Sequence, residues 1–192
     1  ADGYIADRES NKSLEITLKR GDKNHLIKFI NSIGGSQEQI KNKIAKIGDK
    51  EYPACRLNIY STKMCNDLIK KGVTPNKTFT YKYPQCIINN NLDKHFIRGY
   101  IDGDGHISKR EYSMLQINGT KHVLTRIKEY LLSLPIVNLG NIKIKQIKSH
   151  GNYLLSKHSQ KIIPILCHLY ADASVYLDRK YNRAFAHLKS NL

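Results

Sequence analysis

The sequence is an imperfect internal repeat, and this constrains the fold more than any other feature does. At an offset of 98 positions, residues 52–72 lie over residues 150–170, and the alignment pairs Leu57 with Leu155. Two copies of one unit in a single chain predict a molecule with internal pseudo-twofold symmetry.

The beginning of each copy aligns at a slightly different offset. At 102 positions, residues 1–5 (ADGYI) lie over residues 103–107 (GDGHI). The four-residue difference fits a longer first hairpin in the first copy.

Hydrophobic periodicity predicts the same order of elements in both copies. Alternation with polar turns predicts strand hairpins, and apolar residues at three- and four-residue intervals predict amphipathic helices. Each copy therefore reads ββαββα, which makes the fold class α+β, with halves at residues 1–91 (including a linker over 74–91) and 92–192. In chain order the predicted hairpins are 4–20, 39–61, 106–119 and 141–159, and the predicted helices contain residues 26–33, 63–72, 124–134 and 161–173.

The charge balance points to a polyanionic partner. The chain has 32 Lys and Arg against 16 Asp and Glu, a formal net charge of +16. The excess is present in both halves, with 16 basic and 9 acidic residues in 1–90 and 16 and 7 in 91–192. A folded body this basic suggests nucleic acid; the alternative is a soluble basic protein with no such partner.

Basic residues alternate with apolar ones in the second hairpin of each copy, as in IKIKQIK (142–148). One face of such a strand packs on a core and the other meets polar surroundings, either solvent or DNA. Because a two-stranded ribbon fits the major groove, we favour a sheet that faces duplex DNA. The basic residues predicted to contact DNA are Lys12, Lys19, Lys41, Lys43, Lys46, Arg56, Lys109, Arg110, Lys143, Lys145 and Lys148.

Other compositional features exclude several classes of protein. The four cysteines have no zinc-type spacing and are expected to be reduced thiols, which favours an intracellular location. No apolar run approaches about 18 residues, so no membrane span is predicted. The N-terminus also lacks a secretory hydrophobic region.

The segment FIRGYIDGDGHISKRE (96–111) carries the most chemistry. An EF-hand calcium loop would place Asp102 at loop position 3, Asp104 at 5 and Glu111 at 12. Position 1 would then be Tyr100, which offers no carboxylate, and a hairpin rather than a helix is predicted to follow. A calcium-binding structural module is therefore the least favoured of three hypotheses for this chain.

IRGYIDGDG (97–105) resembles the LAGLIDADG motif, and ADG (1–3) resembles the last three letters of a second copy. With the internal repeat and the charge, the chain resembles LAGLIDADG homing endonucleases of the two-motif, single-chain, intein-associated type. This resemblance implies a basic DNA-binding saddle with the motif helices at its centre, where Gly99 and Gly103 permit close packing. Because the apolar part of the first motif is missing, we expect it to be encoded upstream of Ala1.

The resemblance also implies the catalytic carboxylates. The final acidic residue of each motif, Asp2 and Asp104, would reach a scissile phosphate and hold Mg²⁺, with the carbonyls of Ala1 and Gly103 as further ligands. Divalent metal makes water nucleophilic near neutral pH and stabilises the leaving oxygen, and Mg²⁺ prefers carboxylate and phosphate oxygens. Asp102, at the other acidic position of the motif, is interpreted as structural.

Family members of the intein-associated type carry an active-site lysine in each half. Lys82 and Lys180 align in the repeat, 80 and 76 residues after Asp2 and Asp104, and are the candidates. Their charge would stabilise the transition-state phosphate or polarise the attacking water. Arg179 is the neighbouring rival, and the alternative for both lysines is simple solvation.

The resemblance thus implies a monomeric endonuclease that makes a metal-dependent double-strand break in a long, nearly asymmetric DNA target. It would serve intron or intein homing or a free-standing mobile gene, with splicing domains flanking it in the intein case. The second hypothesis is a LAGLIDADG-fold binder that does not cleave, either an intron RNA maturase or a DNA regulator.

Overall fold

The computed structural model describes residues 3–8, 11–73, 79–108, 114–147 and 151–189. The fold class is α+β, as predicted, with two four-stranded antiparallel sheets and helices packed against them. The chain divides into two compact units, residues 2–75 and 76–192. No helix within the described ranges is both long enough and apolar enough to cross a membrane.

The N-terminal unit has the predicted ββαββα order. Its elements are β1 (Gly3–Arg8), β2 (Asn11–Lys19), α1 (Lys23–Ser32), β3 (Ile40–Ile47), β4 (Lys50–Tyr60) and α2 (Thr62–Lys70), with short 3-10 helices at Arg20–Asp22 and Gln37–Gln39. The strands are ordered β1-β2-β4-β3. Gly48, with φ of 57°, provides the first residue of the two-residue turn between β3 and β4, where a glycine is favoured.

The core of this unit lies between the sheet and its two helices. Leu26 and Ile30 of α1, Leu57 of β4 and Cys65 of α2 are completely buried. Ser61 caps α2, since its hydroxyl accepts a hydrogen bond from the backbone N–H of Met64.

The C-terminal unit repeats this order with additional helices at each end. Its elements are α3 (Gln85–Asn89), α4 (Asp93–Asp104), β5 (Gly105–Ile107), β6 (Met114–Gly119), α5 (Lys121–Ser133), β7 (Lys143–Gln146), β8 (Tyr153–His158), α6 (Ile162–Tyr170) and α7 (Asp178–Lys189). The strand order β5-β6-β8-β7 matches that of the first sheet.

The two sheets share one register, which supports the repeat found in the sequence. In the first sheet Gly3 pairs with Ile16, Ile16 with Leu57, and Leu57 with Ile40. In the second sheet the corresponding row contains Gly105, Ile117, Leu155 and Ile144. The sequence alignment of Leu57 with Leu155 therefore corresponds to the same place in each sheet.

Two elements were not predicted. The segment proposed as a linker, residues 74–91, contains α3, and Tyr81 and Tyr83 pack with the core of the C-terminal unit. Helix α7 follows the predicted repeat and packs on α6 and β5. The boundary between the repeated halves at residues 91 and 92 stays a prediction, because compactness does not define where a duplication ended.

Candidate active site and nucleic-acid interface

Helix α4 holds the motif, and the motif's final carboxylate stands at the end of that helix. Ile97 and Ile101 are completely buried, whereas Gly99 lies on an exposed face where an added Cβ would meet nothing within 4 Å. Asp104 is the last residue of α4 and is partly buried. The described geometry thus fixes the buried side of the motif helix and leaves the Gly99 side open.

The residue after Asp104 must be glycine for a steric reason. A Cβ on Gly105 would lie 2.6 Å from the carbonyl oxygen of Ile101 and 2.8 Å from its Cα. Strand β5 starts at Gly105 itself, so the chain turns from helix to strand directly against the last helical turn. This tight turn fixes the position of Asp104 relative to the second sheet.

Asp102 is a buried structural carboxylate, in agreement with its interpretation from the sequence. Asp102 is only 4% exposed. Its carboxylate accepts hydrogen bonds from the Tyr170 hydroxyl at 2.7 Å and from the Leu177 N–H at 3.1 Å. Burial and the adjacent Asp102 carboxylate raise the pKa of the Tyr170 hydroxyl. Because Asp102 is inside α4 and already bonded, the described residues do not form an EF-hand loop.

Lys180 lies at the C-terminal end of the motif helix, although it comes from α7. The residue is 1% exposed, and its ammonium donates to the carbonyl oxygens of Ile101 and Asp102, each at 2.6 Å, and of Gly103 at 3.4 Å. A cation is favourable there because the last carbonyls of a helix carry a partial negative charge. The structure therefore brings Lys180 to the same helix end as Asp104.

Lys82 has a different environment from its repeat mate. Its side chain is exposed and lines a surface cavity of about 420 Å³ on the C-terminal unit. The other residues of this cavity are aromatic, cationic or neutral, with no acidic residue among them: Phe79, Thr80, Tyr81, Thr120, Lys121, His122, Gly151, Asn152 and Tyr153. A phosphate group would find positive charge there.

The Tyr100 hydroxyl is close enough to both Asp104 and Tyr81, a residue of the cavity, to be affected by their charges. Burial raises the pKa of the Tyr100 hydroxyl, and the negative charge of Asp104 and the nearby Tyr81 add to the increase. The Tyr100 ring packs against β6, where a Cβ on Gly119 would clash with the Tyr100 hydroxyl. Arg179, the rival of Lys180, is partly buried, and its charge acts on Tyr170.

The predicted metal ligands are only partly within the described residues. Ala1 and Asp2 lie outside them, so their predicted roles as ligand and catalytic group stay predictions. Within the described ranges no group of three or more His, Cys, Asp or Glu side chains could hold a metal ion by itself. Asp104 supplies one carboxylate, the ligand type that Mg²⁺ prefers, while the Lys180 ammonium near the Gly103 carbonyl disfavours a metal ion at that oxygen.

Each sheet has one apolar face and one polar face. In the N-terminal sheet, Thr17, Arg56 and Lys41 form a row across three strands on the side opposite Leu57. The Arg56 guanidinium donates to the Thr17 hydroxyl at 3.2 Å and pairs with the Glu15 carboxylate at 3.3 Å. Lys19 and Lys43 lie on the same face by alternation, each paired with Ala54.

The polar face of the C-terminal sheet includes residues that the search for basic side chains missed. His106, Gln116, Ser156 and Lys143 form one row across all four strands. Gln and Ser donate and accept hydrogen bonds, and Gln can bind adenine in a bidentate manner. The signal that could have identified them was alternation with the buried Ile117 and Leu155 rather than charge.

The remaining predicted DNA contacts have mixed positions. Lys12 and Lys46 alternate onto the opposite side of their strands from Arg56 and Lys41, and they form ion pairs with Asp7 and Glu51, each at 3.2 Å. Lys145 shares the polar face with Lys143. Lys109, Arg110 and Lys148 lie outside the described residues. All eleven roles stay predictions.

Comparisons with known proteins agree with the motif. Residues 91–168 match the family model of the LAGLIDADG-like domain. The homing endonuclease I-WcaI, solved bound to its DNA recognition sequence, is similar with a TM-score of 0.66 and 16% identity, over 94% of this chain and 80% of that one. No curated protein sequence matches the chain.

Structures of the homing endonuclease I-DmoI are also similar. Its complex with DNA and Ca has a TM-score of 0.55 and 18% identity, over 98% of this chain and 90% of that one. A variant of I-DmoI with its target DNA in the presence of Mg has a TM-score of 0.50 and 19% identity, over 89% and 88%. At these identities the likeness shows the fold alone, and that fold is the LAGLIDADG homing endonuclease fold that the sequence predicts.

Proposed function

We propose that this chain is an enzyme that cleaves DNA. Its residues 91–168 match the LAGLIDADG-like domain model, and its fold is similar to that of a homing endonuclease. The protein is a site-specific DNA endonuclease that makes a metal-dependent double-strand break in a long, nearly asymmetric duplex target. The observation that carries this proposal is the half-buried Asp104 carboxylate at the end of α4, next to a helix end occupied by the Lys180 ammonium. A carboxylate and a cation at one site match the requirements of phosphodiester hydrolysis.

Asp104 is the catalytic carboxylate of the described unit. It would hold a divalent cation, Mg²⁺ by its preference for carboxylate and phosphate oxygens, with the DNA backbone as its other ligand. When bound, this ion lowers the pKa of a coordinated water and neutralises charge on the leaving oxygen. Asp2 is proposed as the equivalent carboxylate for the other strand, with the Ala1 carbonyl as a secondary ligand, whereas the Gly103 carbonyl already accepts from the Lys180 ammonium.

The two lysines have different roles in this proposal. Lys180 is buried and donates to three carbonyls, so it supplies fixed positive charge rather than a proton. Lys82 is exposed in a cavity that contains Lys121 and His122, and it binds a phosphate oxygen directly. Electrostatic stabilisation of this kind costs no reorganisation when the charged groups are already in place.

The polar faces of the two sheets explain why the target should be nearly asymmetric. Both sheets use the same register, yet the first presents the row Thr17–Arg56–Lys41 and the second presents His106–Gln116–Ser156–Lys143. Different side chains on equivalent strands recognise different base edges. Two unlike half-sites follow, bound by one monomer with internal pseudo-symmetry.

The biological setting belongs to the same proposal. Homing of an intron, an intein or a free-standing mobile gene requires a rare cut, which a long target provides. Splicing domains would flank this region if the host element is an intein. An intracellular location follows, because the substrate is genomic DNA.

The test begins with selection of the target site. The full chain is used to select binding sites from a random duplex library, and the selected site is placed in a supercoiled plasmid with Mg²⁺. Linear product is expected from the unchanged protein. The Asp104→Asn variant should retain binding and lose linearisation, whereas Asp67→Asn, which alters an exposed carboxylate paired with Lys63 on α2, should cut normally.

Two outcomes would contradict the proposed endonuclease activity. Selected DNA that is bound but never cut, with Mg²⁺ or Mn²⁺, would make the protein a non-cleaving DNA regulator. Preference for folded intron RNA over duplex DNA in filter binding would identify a maturase.

A further inference from the structure

Two charged residues of the motif helix are buried on one side of it, and both contact the same end of α6. Arg98 and Asp102 are separated by four residues, which places them one above the other on a helix. Arg98 donates to the carbonyl oxygen of Leu169 at 3.0 Å, and Asp102 accepts from the hydroxyl of Tyr170 at 2.7 Å. The residues are only 8% and 4% exposed.

Helix α7 completes the connection. The second carboxylate oxygen of Asp102 accepts the N–H of Leu177, the residue that precedes α7, at 3.1 Å. Lys180, in the first turn of α7, then donates to the carbonyl oxygens of Ile101 and Asp102. The Asp102 side chain and the backbone carbonyls of the last turn of α4 are therefore both hydrogen-bonded to residues 177–180.

This arrangement determines where Asp104 can lie. Successive residues of an α-helix are rotated by about 100°, so Asp104 projects roughly opposite to Asp102. Anchoring the Asp102 side of the last turn leaves the Asp104 side partly exposed and held at one orientation. A displacement of about 1 Å at a reacting group can reduce a rate by about 100-fold.

We propose that Tyr170 and Asp102 are positioning residues for the cleavage site: their hydrogen bond, with Leu177 and Lys180, fixes the last turn of α4 and so orients the Asp104 carboxylate. The proposal deepens the endonuclease function and rests on it. It assigns neither residue a contact with DNA, water or metal. Their part is to prevent the end of the motif helix from fraying.

The decisive variant is Tyr170→Phe, which removes one hydroxyl and keeps the ring. Tyr181→Phe is its matched control, since the Tyr181 ring also packs on Tyr170, with centroids 6.0 Å apart, in the same aromatic cluster. Single-turnover cleavage of the selected target by Tyr170→Phe should be about 10- to 100-fold slower, as for other groups that orient a catalytic site. The dissociation constant for DNA should change less than twofold, and the Mg²⁺ concentration for half-maximal rate should rise.

A double-mutant cycle with Asp102→Ala, which removes both carboxylate oxygens, tests whether the two residues act as a unit. The double variant should be no slower than the slower single variant, because either change already breaks the same bond. Multiplicative effects, or a Tyr170→Phe rate within twofold of the unchanged protein, would overturn the proposal.

A second measurement does not depend on cleavage. Amide hydrogen exchange at residues 101–105 should be at least about 10-fold faster in Tyr170→Phe than in Tyr181→Phe, while exchange in α5 stays equal in the two. Equal exchange at residues 101–105 would overturn the proposal whatever the activity. If the unchanged protein does not cut DNA while the exchange difference is found, the endonuclease function fails and the positioning of the helix end stands.

Discussion

The Lys180 ammonium lies 2.6 Å from the carbonyl oxygen of Ile101, so a buried cation occupies the C-terminal end of the motif helix. Its repeat mate, Lys82, is exposed. The two positions align in the sequence, and yet their different burial predicts unequal effects on stability when either lysine is replaced.

Replacement of Lys180 by Met should destabilise the fold. The carbonyls of Ile101 and Asp102 lose their charged donor inside the protein, at a cost of about 1.5–3 kcal/mol in the free energy of unfolding. Urea denaturation measures this difference. Lys82→Met is the comparison, with an expected change within about 0.5 kcal/mol, and similar losses in the two variants would contradict the buried position of Lys180.

Two glycines of the motif should respond in opposite directions to replacement by alanine. Gly105→Ala places a Cβ against the Ile101 backbone, where a side chain cannot move aside, and should cost about 1–3 kcal/mol. Gly99→Ala adds a methyl group in open space within a helix and should stabilise the protein by about 0.5–1 kcal/mol. Thermal denaturation of the two variants side by side tests this, and a stabilising Gly105→Ala would refute the tight turn.

Much of the fold was predictable because its causes are local. The Gly48–Asp49 turn and the alternation on both sides of it predict β3 and β4, and the structure has them at Ile40–Ile47 and Lys50–Tyr60. The repeat then predicts the same hairpin in the second half. The alignment of Leu57 with Leu155 agrees with the register that the two sheets share, because slipping by one residue would expose both side chains.

The features that were missed depend on distant parts of the chain. Helix α7 is rich in charged residues, and its identity as a helix was hidden because the repeat aligns its first turn with residues 80–83, which are not helical. The hydrogen bond between Tyr170 and Asp102 joins residues 68 positions apart. Sequence could identify Asp102 as structural from its place in the motif, but not the partners that make it so.

The salt dependence of DNA binding should identify which face of the first sheet meets DNA. Lys41 and Lys43 of β3 lie on the same face of the sheet as Arg56 of β4. If this face meets DNA, each contact of a lysine with a phosphate adds about −0.9 to the slope of log affinity against log salt concentration. The double variant Lys41→Ala/Lys43→Ala should therefore have a slope shallower by about 1–2. Lys63→Ala, which alters an exposed lysine paired with Asp67 on α2, should keep the original slope, and a reversal of these results would place DNA on the helical side.

The stability of the C-terminal unit should decrease at alkaline pH. Burial raises the pKa of the hydroxyls of Tyr83, Tyr100 and Tyr170, and the adjacent carboxylates of Asp93, Asp104 and Asp102 add to the increase. In the unfolded chain these groups lose their protons near the ordinary tyrosine pKa of about 10. The folded protein then binds more protons than the unfolded one, so the stabilisation is complete below pH 10 and is lost as the pH rises above it.

Each of the three tyrosines should contribute up to about 1.4 kcal/mol of lost stability per pH unit above pH 10. Urea denaturation between pH 8 and 11, with tyrosinate absorbance recorded in parallel, measures both the stability and the titration. Tyr83→Phe should make the decrease less steep, because phenylalanine has no proton to lose. Tyrosinate from all twelve tyrosines before any unfolding would show that the three hydroxyls are not held in their protonated form by the fold.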